Sequence, residues 1–171
     1  MTPPRLIVVG GGVRSGKSAF ALDLARGLGS RRAFVATAQA FDREMRERVE
    51  HHVRERGSEF ETYEEPRELT ALLARLQADV VVVDCLTLWL SNRLLREPPP
   101  SVGELERDID VLVEALARRH NHVIVVTNEV GMGVVPESAL GRVFRDLAGR
   151  AHQRLCAGAD EIYFAALGCM L

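Results

Sequence analysis

Residues 11–18 read GGVRSGKS and stand between the apolar run LIVVG and the amphipathic stretch SAFALDLARGL. The spacing G-x-x-x-x-G-K-S, set between a strand and a helix, is the pattern of a phosphate-cradling loop. Its physical demands are specific. Backbone N–H groups must converge on phosphate oxygens, so glycines stand where a Cβ would intrude, and the helix N-terminus adds positive potential. Lys17 then reaches the β- and γ-phosphates, and Ser18 offers a hydroxyl to Mg2+. A chance glycine-rich turn is the alternative, and the placement between strand and helix argues against it. Gly11, Gly12, Val13, Arg14, Ser15, Gly16, Lys17 and Ser18 are therefore candidate contacts to a nucleoside triphosphate.

Such a loop needs a buried strand behind it, and the rest of the chain repeats that theme. Strands are expected at Leu6–Gly10, Ala33–Thr37, Val80–Asp84, His122–Thr127 and Glu161–Ala166. Several are continuously apolar rather than alternating, as parallel strands covered on both faces are. Helical patterns fall at 17–28, 42–56, 66–77, 86–96, 102–119 and 138–157, and a small edge strand at 60–63. The alternation predicts an α/β, three-layer fold of the P-loop NTPase type with a mostly parallel central sheet, as one domain over residues 1–171. Pro98-Pro99-Pro100 reads as a stiff surface connector.

The bulk properties narrow the partners. A net charge of −2 gives no basic field of the kind nucleic-acid binding needs. Three cysteines at unrelated spacings argue against a disulfide framework or a zinc cluster. No window is apolar enough for a membrane span, and the N-terminal apolar run is too short for a signal peptide. A cytoplasmic protein acting on small molecules is expected.

Asp84 ends the run VVVVD, at the strand edge where ligands of open α/β sheets collect. It reads as a Mg2+ partner, directly or through water, or as the N-cap of the following LTLWL helix. The adjacent pair His51-His52 sits in the charged stretch RVEHHVRER. At 100° per residue Met45, Val49 and His52 share one stripe with Phe41, whereas His51 lies with the charged positions. If either ring does chemistry it is His52, whose neutral imidazole suits attack on phosphorus; an inert half-buried helix histidine fits the letters too. A metal site is disfavoured because adjacent helix side chains diverge.

GGVRSGKS, ATAQ at 36–39, RVEHHVRER, VVDCLTLWLSN at 82–92, TNEVGMGVVPE at 127–137 and FRDLAGRAHQRL at 144–155 occur in this order. Together they resemble the bifunctional adenosylcobinamide kinase and adenosylcobinamide-phosphate guanylyltransferase family of cobalamin biosynthesis, over nearly the whole chain. The resemblance implies two reactions: phosphorylation of adenosylcobinamide by ATP or GTP, then transfer of GMP from GTP to give adenosylcobinamide-GDP and pyrophosphate. It implies that the second passes through a guanylylated His52 and that the enzyme is a homotrimer. It also carries nucleotide contacts to Gly11–Ser18, Ala36, Thr37, Ala38, Val53, Arg54, Glu55, Arg56, Glu64 and Asp84. Three departures stand out. Ala38 replaces a hydroxyl residue, Val53–Arg56 is more charged than usual, and Asp84 replaces a frequent Glu.

Arg14, Arg142, Arg145 and Arg150 read either as charge stabilisers or as solvated cations. Asn128 and Glu129 read as pocket residues or as a turn holding Gly131 and Gly133 in unusual backbone conformations. Trp89 reads as packing, with a subunit contact at its helix as the oligomeric variant. The rival functions are a small kinase for another hydroxyl substrate and a slowly hydrolysing regulator.

Overall fold

A computed structural model describes residues 3–39 and 57–171. The described strands are β1 (Leu6–Gly11), β2 (Arg32–Ala36), β3 (Glu61–Glu64), β4 (Val80–Asp84), β5 (His122–Val126), β6 (Glu161–Ala166) and β7 (Cys169–Met170). The described helices are α1 (Lys17–Leu28), α2 (Leu69–Arg75), α3 (Leu86–Leu94), α4 (Val102–Ala117) and α5 (Ala139–Ala157). The strands form one sheet in the order β3-β2-β4-β5-β1-β6-β7, parallel throughout except for β7 at the edge.

Alternate residues of each central strand serve opposite layers. Leu6, Val8, Val81, Val83, Val123 and Val125 meet the apolar stripes of α2, α3, α4 and α5. Ile7, Val9, Val80, Val82, Ile124 and Val126 face the other way, onto Ala21, Leu22 and Ala25 of α1. Both faces are covered, which is why these strands read as unbroken apolar runs. The expected three-layer α/β arrangement is thus the one observed. Among the described residues, no helix is long and apolar enough to cross a membrane.

The deviations from expectation have local causes. The small strand expected at 60–63 is β3, paired in parallel with β2. The helix expected over 66–77 starts only at Leu69, because the Glu65 carboxylate accepts from the backbone N–H groups of Arg67 and Glu68 and closes a turn ahead of it. β7 was not anticipated: a turn at Leu167 and Gly168, with φ of 53° and 82°, sends the last residues back along β6. The helix expected over 42–56 lies outside the described residues. Trp89 is 2% exposed, its indole N–H donating to the Arg67 carbonyl at 2.9 Å, so its side chain is spent on packing within the chain.

At the sheet edge away from the loop, Asp79 ties β2 to β4. Its carboxylate accepts from the N–H groups of Ser30 and Arg31 at 3.1 and 2.9 Å and pairs with the Arg31 guanidinium, and these bonds hold it well below the usual carboxylate range. Gly29 leaves the room for this. Its φ of −178° suits any residue, but an added Cβ would lie 2.4 Å from Asp79 Cβ. Gly29→Ala is expected to lower unfolding free energy by about 1–3 kcal/mol through overpacking, read from chemical denaturation.

Candidate active site

β1 delivers the chain into the loop at Gly11, and two constraints converge there. Its φ is 150°, and a Cβ would sit 2.7 Å from the Ala165 carbonyl oxygen of β6. Gly16, with φ 86°, turns the loop into α1 in the left-handed region that glycine tolerates. Arg14 holds a positive φ of 53° between them. The result is a loop folded back over the start of α1, with Lys17 buried beneath it at 7% exposure. Lys17 Nζ donates to the Gly12 carbonyl at 2.8 Å. Burial lowers the pKa of its ammonium, and the nearby Asp84 charge opposes that shift. Ser15 Oγ is buried without a protein hydrogen-bond partner, a polar atom that a phosphate oxygen would satisfy.

The sheet register gathers further candidates at the same edge. Glu64 of β3 pairs with Ala36 of β2, Ala36 with Asp84 of β4, Asp84 with Val126 of β5, and Val126 with Val9 of β1. One row of the ladder therefore carries Glu64, Ala36 and Asp84 and ends two residues before the loop. Ser18 and Asp84 supply hydroxyl and carboxylate oxygens, a hard donor set that fits Mg2+ bound to a few protein oxygens and to phosphates.

Just beyond the row, Thr37 is fully buried, and its hydroxyl accepts from the Cys85 N–H and donates to the Cys85 carbonyl, both at 2.7 Å. Asn92 Nδ2 donates to the Thr37 carbonyl at 2.7 Å. The side chain of Thr37 thus locks the ends of β2 and β4 together. Cys85 is buried and its thiol is pushed up to about 11, so it stays protonated at neutral pH. Residues 37–39 lead away from the row toward the segment bearing His52; His51, His52, Val53, Arg54, Glu55 and Arg56 lie outside the described residues.

The arginines divide. Arg142 donates to the Pro136 and Glu137 carbonyls, Arg145 to the Gly133 carbonyl, and Arg150 pairs with Glu106. These contacts tie the three side chains to the 131–137 loop and to α4. Gly131 has no left-handed φ, and a Cβ there would lie 2.8 Å from Glu129 Oε1, so a larger residue would have to displace that carboxylate. One residue that the sequence did not mark is His152 of α5, whose Nε2 lies 2.7 Å from Thr127 Oγ1 and whose Nδ1 lies 3.9 Å from Glu129 Oε2. Only its place in a long amphipathic helix, on the buried side, hinted at it.

A buried lysine under a glycine-bent loop, with an acid one row away across a parallel sheet, defines a P-loop nucleotide-binding enzyme. The fold agrees with the RadB recombinase, a structure 21% identical that matches 95% of this chain and 74% of its own, at a TM-score of 0.50. The family is narrower: residues 7–171 match the model for cobinamide kinase / cobinamide phosphate guanyltransferase, and the chain belongs to that family of transferases. It is 40% identical to the bifunctional adenosylcobalamin biosynthesis protein CobU of Salmonella typhimurium, over 95% of this chain and 96% of that one. It is also 40% identical to the bifunctional protein CobP of Pseudomonas aeruginosa, over 92% and 91%, and 38% identical to CobU of Escherichia coli, over 95% and 96%.

Proposed function

We propose that this chain phosphorylates adenosylcobinamide with ATP or GTP and then moves GMP from GTP onto the new phosphate through a guanylylated His52. The observation that carries the nucleotide half is the buried Lys17 beneath its loop, with Asp84 and Glu64 on one row beside it. In the kinase step Lys17 and the loop amides offset charge on the β- and γ-oxygens as the phosphoryl group transfers. Ser18 and Asp84 would hold Mg2+, which when bound neutralises charge on those same oxygens.

In guanylyl transfer a neutral imidazole nitrogen of His52 attacks the α-phosphorus of GTP. The α–β bridging P–O bond breaks, and pyrophosphate leaves into the loop. The acceptor phosphate then attacks the same phosphorus, the P–N bond breaks, and adenosylcobinamide-GDP departs with the ring restored. Ala36, Thr37, Ala38, Val53–Arg56 and Glu64 complete the nucleotide contacts, Ala38 through its backbone because it carries no hydroxyl. The homotrimer and the cytoplasmic setting belong to the same reading.

The test is retention of label. With α-labelled GTP and Mg2+, the denatured protein is expected to keep an acid-labile, alkali-stable label, and with γ-labelled GTP none by this route. A protein that retains no α-label sinks the covalent step and leaves direct transfer of GMP to the acceptor phosphate.

A further inference from the structure

We infer that Glu129 is the catalytic residue that takes the proton from the acceptor hydroxyl in the kinase step, with His152 as its positioning residue. The inference rests on the kinase activity of the same loop. β5 lies between β1 and β4, so the residues just past its end stand between the loop and Asp84. The Glu129 backbone N–H donates to the carbonyl of Gly11, the first loop residue, at 2.9 Å. Its carboxylate is held on one side and faces an imidazole on the other. Oε1 accepts from the Gly131 N–H, and a Cβ at 131 would push that carboxylate aside.

Oε2 lies 3.9 Å from His152 Nδ1, and His152 Nε2 lies 2.7 Å from the buried Thr127 hydroxyl. A carboxylate beside Nδ1 favours the tautomer protonated there, leaving Nε2 to accept from Thr127. The carboxylate remains a quarter exposed, at 26%, so the arrangement orients it without sealing it off. Of the other acids on this edge, Asp84 is assigned to the ion, and Glu64 sits three strands from β5, about 14 Å at ordinary strand spacing.

The step balances. The hydroxyl proton passes to a Glu129 oxygen, and the hydroxyl oxygen forms the bond to the γ-phosphorus. The bond from that phosphorus to the β–γ bridging oxygen breaks, with its electron pair leaving on the nucleoside diphosphate. Guanylyl transfer makes no such demand, because its acceptor is a phosphate that is already ionised. This difference separates a base from a structural residue.

Glu129→Gln keeps an oxygen for Gly131 and the side-chain volume but cannot take a proton. Kinase kcat is expected to fall about 10²- to 10⁴-fold with the KM for nucleoside triphosphate unchanged. Guanylyl transfer from GTP to supplied adenosylcobinamide phosphate should continue at the wild-type rate. Glu129→Asp should exceed Glu129→Gln in kinase turnover, and His152→Asn should lower kinase kcat without moving KM. Wild-type kinase turnover in Glu129→Gln, a parallel fall of both activities, or a Gln variant faster than the Asp variant each overturns the assignment. A wild-type chain without kinase turnover overturns it together with the kinase reading beneath it.

Discussion

Replacing His52 with alanine is expected to lower guanylyl transfer by about 10⁴- to 10⁶-fold while phosphorylation of adenosylcobinamide continues, the size of effect seen when a covalent nucleophile is removed outright. The asymmetry follows from which phosphorus is attacked. The kinase step joins the acceptor hydroxyl to the γ-phosphorus directly and has no use for a histidine nucleophile. On the proposed covalent route the second step uses a nucleophile at the α-phosphorus that can later leave, and a neutral histidine near physiological pH is one. His51→Ala is the internal control. On the helix projection it shares the charged side, so both activities should persist. Separate assays with adenosylcobinamide and with its phosphate as acceptors decide the matter. A His52→Ala protein that still makes adenosylcobinamide-GDP at near-normal rates refutes the covalent route, and loss of both activities assigns His52 to binding.

Lys17→Ala is expected to reduce both activities together, by about 10²- to 10³-fold each, the usual cost of one donor aimed at developing charge. On the proposed reading both reactions place the triphosphate tail in the same loop: the kinase step draws on the γ-phosphoryl group, and guanylyl transfer releases the β- and γ-phosphates as pyrophosphate. Stability should move differently. Lys17 is buried at 7% exposure, and desolvation already disfavours its charge. Without nucleotide, the alanine variant should therefore melt no lower than the wild type, and the rise in melting temperature on adding GTP should shrink. A variant that melts much lower would assign Lys17 to holding the loop closed through Gly12.

How much of this was legible depended on range along the chain. The central strands were plain because both faces are covered and each residue must be apolar, as in Val80–Val83. The loop was plain because its demands are local: Gly11 and Gly16 each meet a backbone constraint within a few residues of Lys17. The row of Glu64, Ala36 and Asp84 was half legible, since strand ends can be read but strand order cannot. What stayed hidden were partners distant in sequence. Nothing local to Thr37 says that its hydroxyl is bonded to Cys85, 48 residues on. His152 reads as one more helix residue until it meets Thr127, 25 residues earlier. Arg142 and Arg145 read as charge stabilisers or as solvated cations, and the backbone carbonyls they bond leave no mark in the sequence. Two-residue β7 is too short to leave any periodic trace.

Interposing β5 between β1 and β4 spaces the two walls of the phosphate edge by two strand widths, about 9–10 Å between backbones. The walls form a fixed slot whose width is set by ladder hydrogen bonds and not by any side chain. Trading one acidic side chain for its longer homologue at position 84 alters reach within the slot and leaves its breadth untouched. Diversification of this scaffold can therefore proceed through the linings, with the frame conserved by backbone geometry alone.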